Sequence, residues 1–190
     1  MRLALLPSLF LGLLMACTET TDPLRYTTGT PQPSARVSIP LTSVSVREVS
    51  LPAYAAEEGI AVADASGAIT AGPDNIWADE PTRAVTLRLT NTLADLTGRL
   101  VASDPWPFQD PPEAVVEVRI EEFVAEASGS FVASGRYYVS HGEDVERTDR
   151  ARAFRLVQPY NPEAGFAAIA EARTRIVSAL AVDIARRGLK

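Results

Sequence analysis

Two one-sided apolar stripes at helical spacing, with alternating stretches between them, constrain this chain more than any other feature. Behind Pro81 the residues Val85, Leu89, Leu93, Leu96 and Leu100 recur at steps of four, four, three and four. Proline suits the first turn of a helix because the N–H it lacks would have had no partner there. Gly98 is expected to end this helix, and Val101-Ala102 to start a brief strand. Between Pro162 and Arg187 the pattern returns with Phe166, Ile169, Ile176, Leu180 and Ile184. Neither stripe would hold its helix together alone in water, so each must be buried against something else.

That partner is a sheet. Val44 and Val46 alternate with Ser43, Ser45 and Arg47, a period of two that marks a strand with one buried face. Ile60-Ala61-Val62 and Ala68-Ile69-Thr70 flank Asp64-Ala65-Ser66-Gly67, which reads as a short hairpin. Val116, Val118, Ile120 and Phe123 form one arm of a longer hairpin that turns at Ser128-Gly129-Ser130. Phe131, Val132, Tyr137, Tyr138 and Val139 lie on its return arm, and a third strand over roughly 147–158 follows the polar turn His141-Gly142-Glu143-Asp144. The order βββαβ, three strands and α predicts an α/β fold, a mixed β-sheet with two long amphipathic helices packed on it.

Composition narrows function mainly by exclusion. The 190 residues are 46% hydrophobic and 22% charged, a globular balance, with a net charge of −6 and no dense basic stripe, which excludes a nucleic-acid partner. One His and one Cys leave no Cys/His zinc set and no disulfide framework. His141 has acids nearby, yet it falls in an expected exposed turn, and no G-x-S-x-G context supplies a nucleophile. Catalytic residues, metal ligands and cofactors are therefore not expected, and the chain does not read as an enzyme. Glu117, Glu121, Glu122 and Glu126 read as a solvated edge, because alternation sends Glu117 and Glu121 to one face and Glu122 and Glu126 to the other.

The first sixteen residues place Arg2 ahead of an apolar run from Leu3 to Ala16, too short for the ~20 apolar residues a bilayer span needs. They read as a signal peptide. Leu14-Met15-Ala16-Cys17 resembles the bacterial lipobox, which implies cleavage after Ala16 and lipidation of Cys17, with the thiol removed from the oxidising compartment. Acyl chains on Cys17 would anchor the protein to a membrane, and Thr18 after the Cys points to the outer membrane. Residues 17–40, rich in Thr, Ser and Pro, read as the acylated Cys and an extended tether, and residues 41–190 as one domain.

At Leu51-Pro52-Ala53-Tyr54, at Asn75-Ile76-Trp77-Ala78-Asp79-Glu80-Pro81, from Val101 to Trp106, and in the Val116–Val139 hairpin, the chain resembles the PqiC/YmbA family of transport auxiliary lipoproteins. The blocks also come in that family's order. Between Ala55 and Ala71 the chain departs from it, with Glu57, Glu58 and Asp64 where basic or aromatic residues are more usual. The resemblance implies an anticodon-binding-domain-like three-layer sandwich. It also implies an outer-membrane lipoprotein, facing the periplasm, that serves as the auxiliary or docking component of an MCE-type intermembrane lipid transport system. The implied partner is the system's MCE-domain periplasmic tunnel protein, and the implied role is in envelope integrity.

Two alternatives come from other classes, a lipid-binding shuttle or acceptor with its own apolar cavity and a periplasmic hydrolase. Two helices against one sheet leave little surplus apolar surface to enclose an acyl chain. An open sheet leaves edges that closed assemblies cover, so a homo-oligomer is expected. Its candidate interface residues are Trp106, Phe108, Tyr137 and Tyr138.

Overall fold

A computed structural model describes residues 22–27, 29, 35–143 and 145–190. Its strands are β1 (Leu24–Tyr26), β2 (Ser43–Val46), β3 (Gly59–Ala63), β4 (Ile69–Trp77), β5 (Leu100–Ser103), β6 (Ala114–Glu126), β7 (Ser130–His141) and β8 (Arg150–Pro159). The helices are α1 (Ala53–Ala56), α2 (Pro81–Thr97) and α3 (Gly165–Asp183), the last continuing as a π-turn over Ile184–Gly188. The expected mixed sheet with two long helices packed on it is what forms.

β6 is the axis of the sheet. Along one edge it pairs antiparallel with β7, and β7 pairs antiparallel with β8. Along the other edge two parallel strands share it, β2 against Ala114–Val116 and β3 against Ala125–Glu126. β5 extends the sheet beyond β2, while β4 and then β1 extend it beyond β3.

α2 begins and ends where its sequence says it should. The Glu80 carboxylate accepts from the Thr82 and Arg83 N–H groups at 2.8 and 2.6 Å, and Pro81 fills the first turn. Gly98 closes the helix in the left-handed conformation at φ 63°, its N–H donating to the Ala94 carbonyl. Thr86, Thr90, Thr92 and Thr97 donate their hydroxyls back to carbonyls four residues earlier, so each is buried with its hydroxyl satisfied.

Val85, Leu89, Leu93 and Leu96 of α2 and Ile169, Ile176 and Leu180 of α3 meet Val116, Val118, Ile120, Phe131 and Val139 in one core. α2 packs on α3 and β5, and α3 on β7 and β8. Both long helices thus pack on the sheet through the same core. Leu100, read as the end of the α2 stripe, stands instead on β5 and is 46% exposed.

The segment expected to be free tether as far as residue 40 is tied down at two points. Leu24–Tyr26 pairs with Asn75–Trp77, and the Tyr26 ring lies 6.0 Å from that of Phe166. Val37 and Ile39 are buried, with the Val37 N–H donating to the Leu96 carbonyl at 2.7 Å. Residues 1–21, with the expected signal peptide, Ala16 and Cys17, lie outside the described residues.

Candidate interaction surface

The sharing of one β6 edge between two strands leaves a gap in the ladder, and the Leu51-Pro52-Ala53-Tyr54 block fills it. The Ser50 N–H donates to Val118 O at 3.0 Å and the Ile120 N–H to Ser50 O at 2.8 Å. The single turn of α1 then brings the Tyr54 hydroxyl to the Phe123 N–H, which it accepts at 3.1 Å. A backbone donor that neither flanking strand serves is thereby satisfied.

The Trp77-to-Pro81 block has an equally structural task. Arg173 of α3 is 2% exposed, its guanidinium carbon 4.0 Å from the Trp77 ring centroid and 5.7 Å from that of Phe123. Its Nη2 donates to the Pro81 carbonyl at 3.0 Å. Burial pushes its pKa down to about 10, against the pull of Glu80 and Asp79, so it remains charged at neutral pH. Sequence reasoning missed this clamp, because an Arg on an apolar helix face carries no mark of what will stack on it.

The outer face of β6, β7 and β8 is built quite differently. Glu117 sits between Arg47 and Arg119, accepting from each at 2.7 Å, and Arg119 lies 5.1 Å over the Tyr138 ring. The hydrogen bond from Arg119, and after it that from Arg47, holds the Glu117 carboxyl below the usual range against some desolvation. Lower down, Glu122 accepts from Arg155 at 2.6 Å and from the Ser134 hydroxyl at 3.1 Å. The expected facing of the glutamates changes here. The β6–β7 register shifts between Ile120 and Glu122, so Glu117, Glu122 and Glu126 share the outer face. Gly135 permits the shift, since a Cβ there would lie 2.2 Å from the Arg119 carbonyl oxygen.

Of the expected interface residues, Tyr137 is fully buried on the helix side, its hydroxyl donating to Asp183 Oδ2 at 3.0 Å. Desolvation, and then that hydrogen bond, push its pKa well above the ordinary tyrosine value. Tyr138 faces outward and is half-buried under Arg119. Trp106 and Phe108 sit together on the β5–β6 loop, edge to face at 5.0 Å, with the Trp106 Nε1–H donating to Asp110 O at 2.7 Å and Phe108 45% exposed.

His141, expected in an exposed turn, ends β7 with its side chain 3% exposed. Its Nδ1 is 3.6 Å from Asp149 Oδ1, which accepts instead from the His141 backbone N–H at 3.0 Å. No group of three His, Cys, Asp or Glu gathers as for a metal among the described residues.

Charge is unevenly placed. Nine of the 18 basic residues but five of the 24 acidic ones fall in residues 145–190. Arg150, Arg152 and Arg155 line β8, where Arg150 and Arg152 donate to the Arg187 carbonyl at 3.0 and 3.1 Å. On the opposite side of the sheet, Glu57 and Glu58 border an open groove of about 890 Å³ between β1, α1 and β4. Beside Trp77, Phe123, Phe131 and Arg173 the core leaves a gap of about 10 Å³, room for one water at most.

A mixed α/β domain with helices packed on one face of its sheet and charged rungs on the other is a scaffold that presents surfaces. The chain belongs to the family of ABC-type transport auxiliary lipoprotein components, whose sequence model matches residues 26–185. That family is one of transport auxiliary lipoproteins, not of enzymes. No curated protein matches the chain significantly.

Among solved structures, an uncharacterised protein aligns with a TM-score of 0.68 at 17% identity, over 85% of this chain and 97% of that one. Protein XCC0632 from Xanthomonas campestris, assigned to the DUF330 family, aligns at 0.63 and 16% identity over 89% and 94%. Both likenesses establish the fold. The PelC dodecamer from Paraburkholderia phytofirmans aligns at 0.41 and 11% identity over 83% and 93%, a likeness at which assembly state does not transfer.

Proposed function

We propose that this protein is an outer-membrane-anchored periplasmic lipoprotein, cleaved after Ala16 and acylated at Cys17, that docks an MCE-type intermembrane lipid transport system and so supports envelope integrity. The observation that carries the reading is the family match over residues 26–185. The two motif blocks behind the resemblance also serve this fold, one completing the β6 ladder through Tyr54 and the other clamping Arg173 between Trp77 and Pro81. The partner in this reading is the system's MCE-domain tunnel protein. Copies of this chain meet through the Trp106–Phe108 loop and the outer face around Tyr138.

The protein acts as a homo-oligomer. Its basic β8 edge and the acidic side around Glu57 and Glu58 lie on opposite edges of one sheet, as a head-to-tail ring contact requires. Among the described residues the core gap beside Arg173 holds about 10 Å³, far too little for an acyl chain, which speaks against the shuttle alternative.

Cross-linking the tagged full-length protein in intact envelopes, followed by identification of its partners, tests the role. An MCE-domain protein cross-linked to wild type, and lost in Cys17→Ser, is the expected result. Cross-links confined to other copies of this chain would overturn the docking role.

A further inference from the structure

The solvated face is not uniform. Its upper rungs carry Glu117, Arg119, Arg136, Glu122 and Arg155, whereas one lower rung is apolar from strand to strand, with Val124 opposite Val132 and Val132 opposite Val157. Val124 and Val132 are buried, but Val157 is 50% exposed, and Ile69 of β4, 41% exposed, borders the same trough as Val124. Charged and apolar rungs therefore divide a single face by height along β6.

The apolar rung is at the end of the sheet from which the chain arrives. β1 runs parallel to β4, so the chain preceding Leu24 comes from the side of Ile69 and the β3–β4 turn. Cys17 is seven residues from Leu24, a reach of about 23 Å at full extension. Leu24 pairs with Asn75, and the six residues from Asn75 back to Ile69 cover about 20 Å of strand. A lipid surface that holds Cys17 can therefore lie no further out than about the level of Ile69, which excludes the tens of ångströms a long tether would leave. The β5–β6 loop with Trp106 and Phe108 lies at the other end of β6, about 40 Å away for a 13-residue strand.

We propose that the lower end of the sheet, through Ile69 and Val157 above the Val124–Val132 floor, is a lipid-facing surface that rests on the phospholipid leaflet holding the anchor. This inference rests on the reading of Cys17 as the lipidated residue. The charges that border the same trough, Asp64, Glu122 and Glu126, are all acidic, so anionic headgroups do not draw the domain down as they would a polybasic surface and the contact rests on the apolar side chains. The orientation turns the Trp106–Phe108 loop away from the bilayer, toward a periplasmic partner.

The test uses the full lipidated chain in phosphatidylethanolamine/phosphatidylglycerol vesicles with brominated acyl chains, in a Trp106→Phe background whose own emission, from the buried Trp77, is subtracted. Ile69→Trp should show at least twofold quenching against unbrominated vesicles, Val157→Trp should follow it, and Phe108→Trp should show none. Val157→Trp carries the same reading if Ile69→Trp fails to fold by circular dichroism. Flotation separates the premises. Protein that floats with the vesicles while Ile69→Trp and Val157→Trp stay unquenched overturns the inference and leaves the lipid anchor standing. Protein that does not float overturns the anchor and the inference together.

Discussion

The two faces of the β6–β7 hairpin are made from alternate residues of the same two strands, yet they obey different rules. On the helix side Val116, Val118, Ile120, Phe131, Tyr137 and Val139 are all 5% exposed or less. On the other side Glu117 pairs with Arg119 and Ser134 with Glu122, while Arg136 is exposed. Exposed ion pairs of this kind contribute roughly 0–1 kcal/mol each, while burying a large apolar side chain contributes roughly 1.5–3 kcal/mol. The helix side therefore specifies the fold. The solvated side is held to few structural demands and is free to be shaped by what it meets.

Breaking the helix side should have the largest effect. Phe123 packs edge-on against Phe131 at 5.0 Å and lies beneath Arg173, so Phe123→Ala empties the middle of the core. A loss of about 3–5 kcal/mol in denaturant unfolding is expected, and a loss below 1 kcal/mol would show that this face does not carry the fold. Next comes the point where the strand changes phase. Gly135→Ala drives a methyl group into the Arg119 carbonyl at 2.2 Å and forces the backbone apart, at a cost of about 1–3 kcal/mol by the same measurement.

Those sites also show why some of the molecule was legible and some was not. α2 could be read to within a residue at both ends, because Pro81 and Gly98 act through their own backbone chemistry whatever surrounds them. The long hairpin and α3 were readable from periodicity. The β6 bulge was not, since strict alternation was carried through Glu121; the signal was the glycine at 135 inside an otherwise regular strand.

β1 has three residues and pairs along one edge, too little for any period to show. Val37, Ile39 and Leu41 did alternate, and their Ser/Pro surroundings hid a buried entry segment that a stricter count of period two would have found. Of the interface candidates, sequence could place Tyr137 and Tyr138 on opposite faces but not say which was buried. Asp183, 46 residues on, decides that by accepting the Tyr137 hydroxyl.

Tyr137 sharpens the comparison with a pH dependence. Its folded pKa is raised above the ordinary value near 10, so its contribution is complete below pH ~10 and is lost as pH rises beyond it, where the unfolded chain ionises and the folded chain resists. Tyr137→Phe should cost about 1 kcal/mol at neutral pH, from the hydrogen bond to Asp183. It should also flatten the fall in Tm between pH 9 and 11.5 relative to wild type. An alkaline slope identical in both proteins would mean that other tyrosines govern it.

The smallest effect on stability is expected where the proposed function places the largest effect on assembly. Tyr138 is half-buried against Arg119, and Phe108 is 45% exposed on a loop. Truncating both removes little that the folded monomer uses, so the Tm of the Tyr138→Ala/Phe108→Ala variant should stay near that of wild type, with at most about 0.5 kcal/mol lost. At an interface the same rings would be desolvated anchors, and losing an anchor at such a hot spot costs about 2 kcal/mol or more of association. Light scattering on the delipidated protein should therefore show wild type above monomer mass and the double variant shifted toward monomer, with superimposable circular dichroism. Wild type that stays monomeric at high micromolar concentration would remove the ring while leaving single-copy docking intact. A double variant that unfolds would place these two rings among the residues that build the fold, on the opposite side of the comparison from where the geometry puts them.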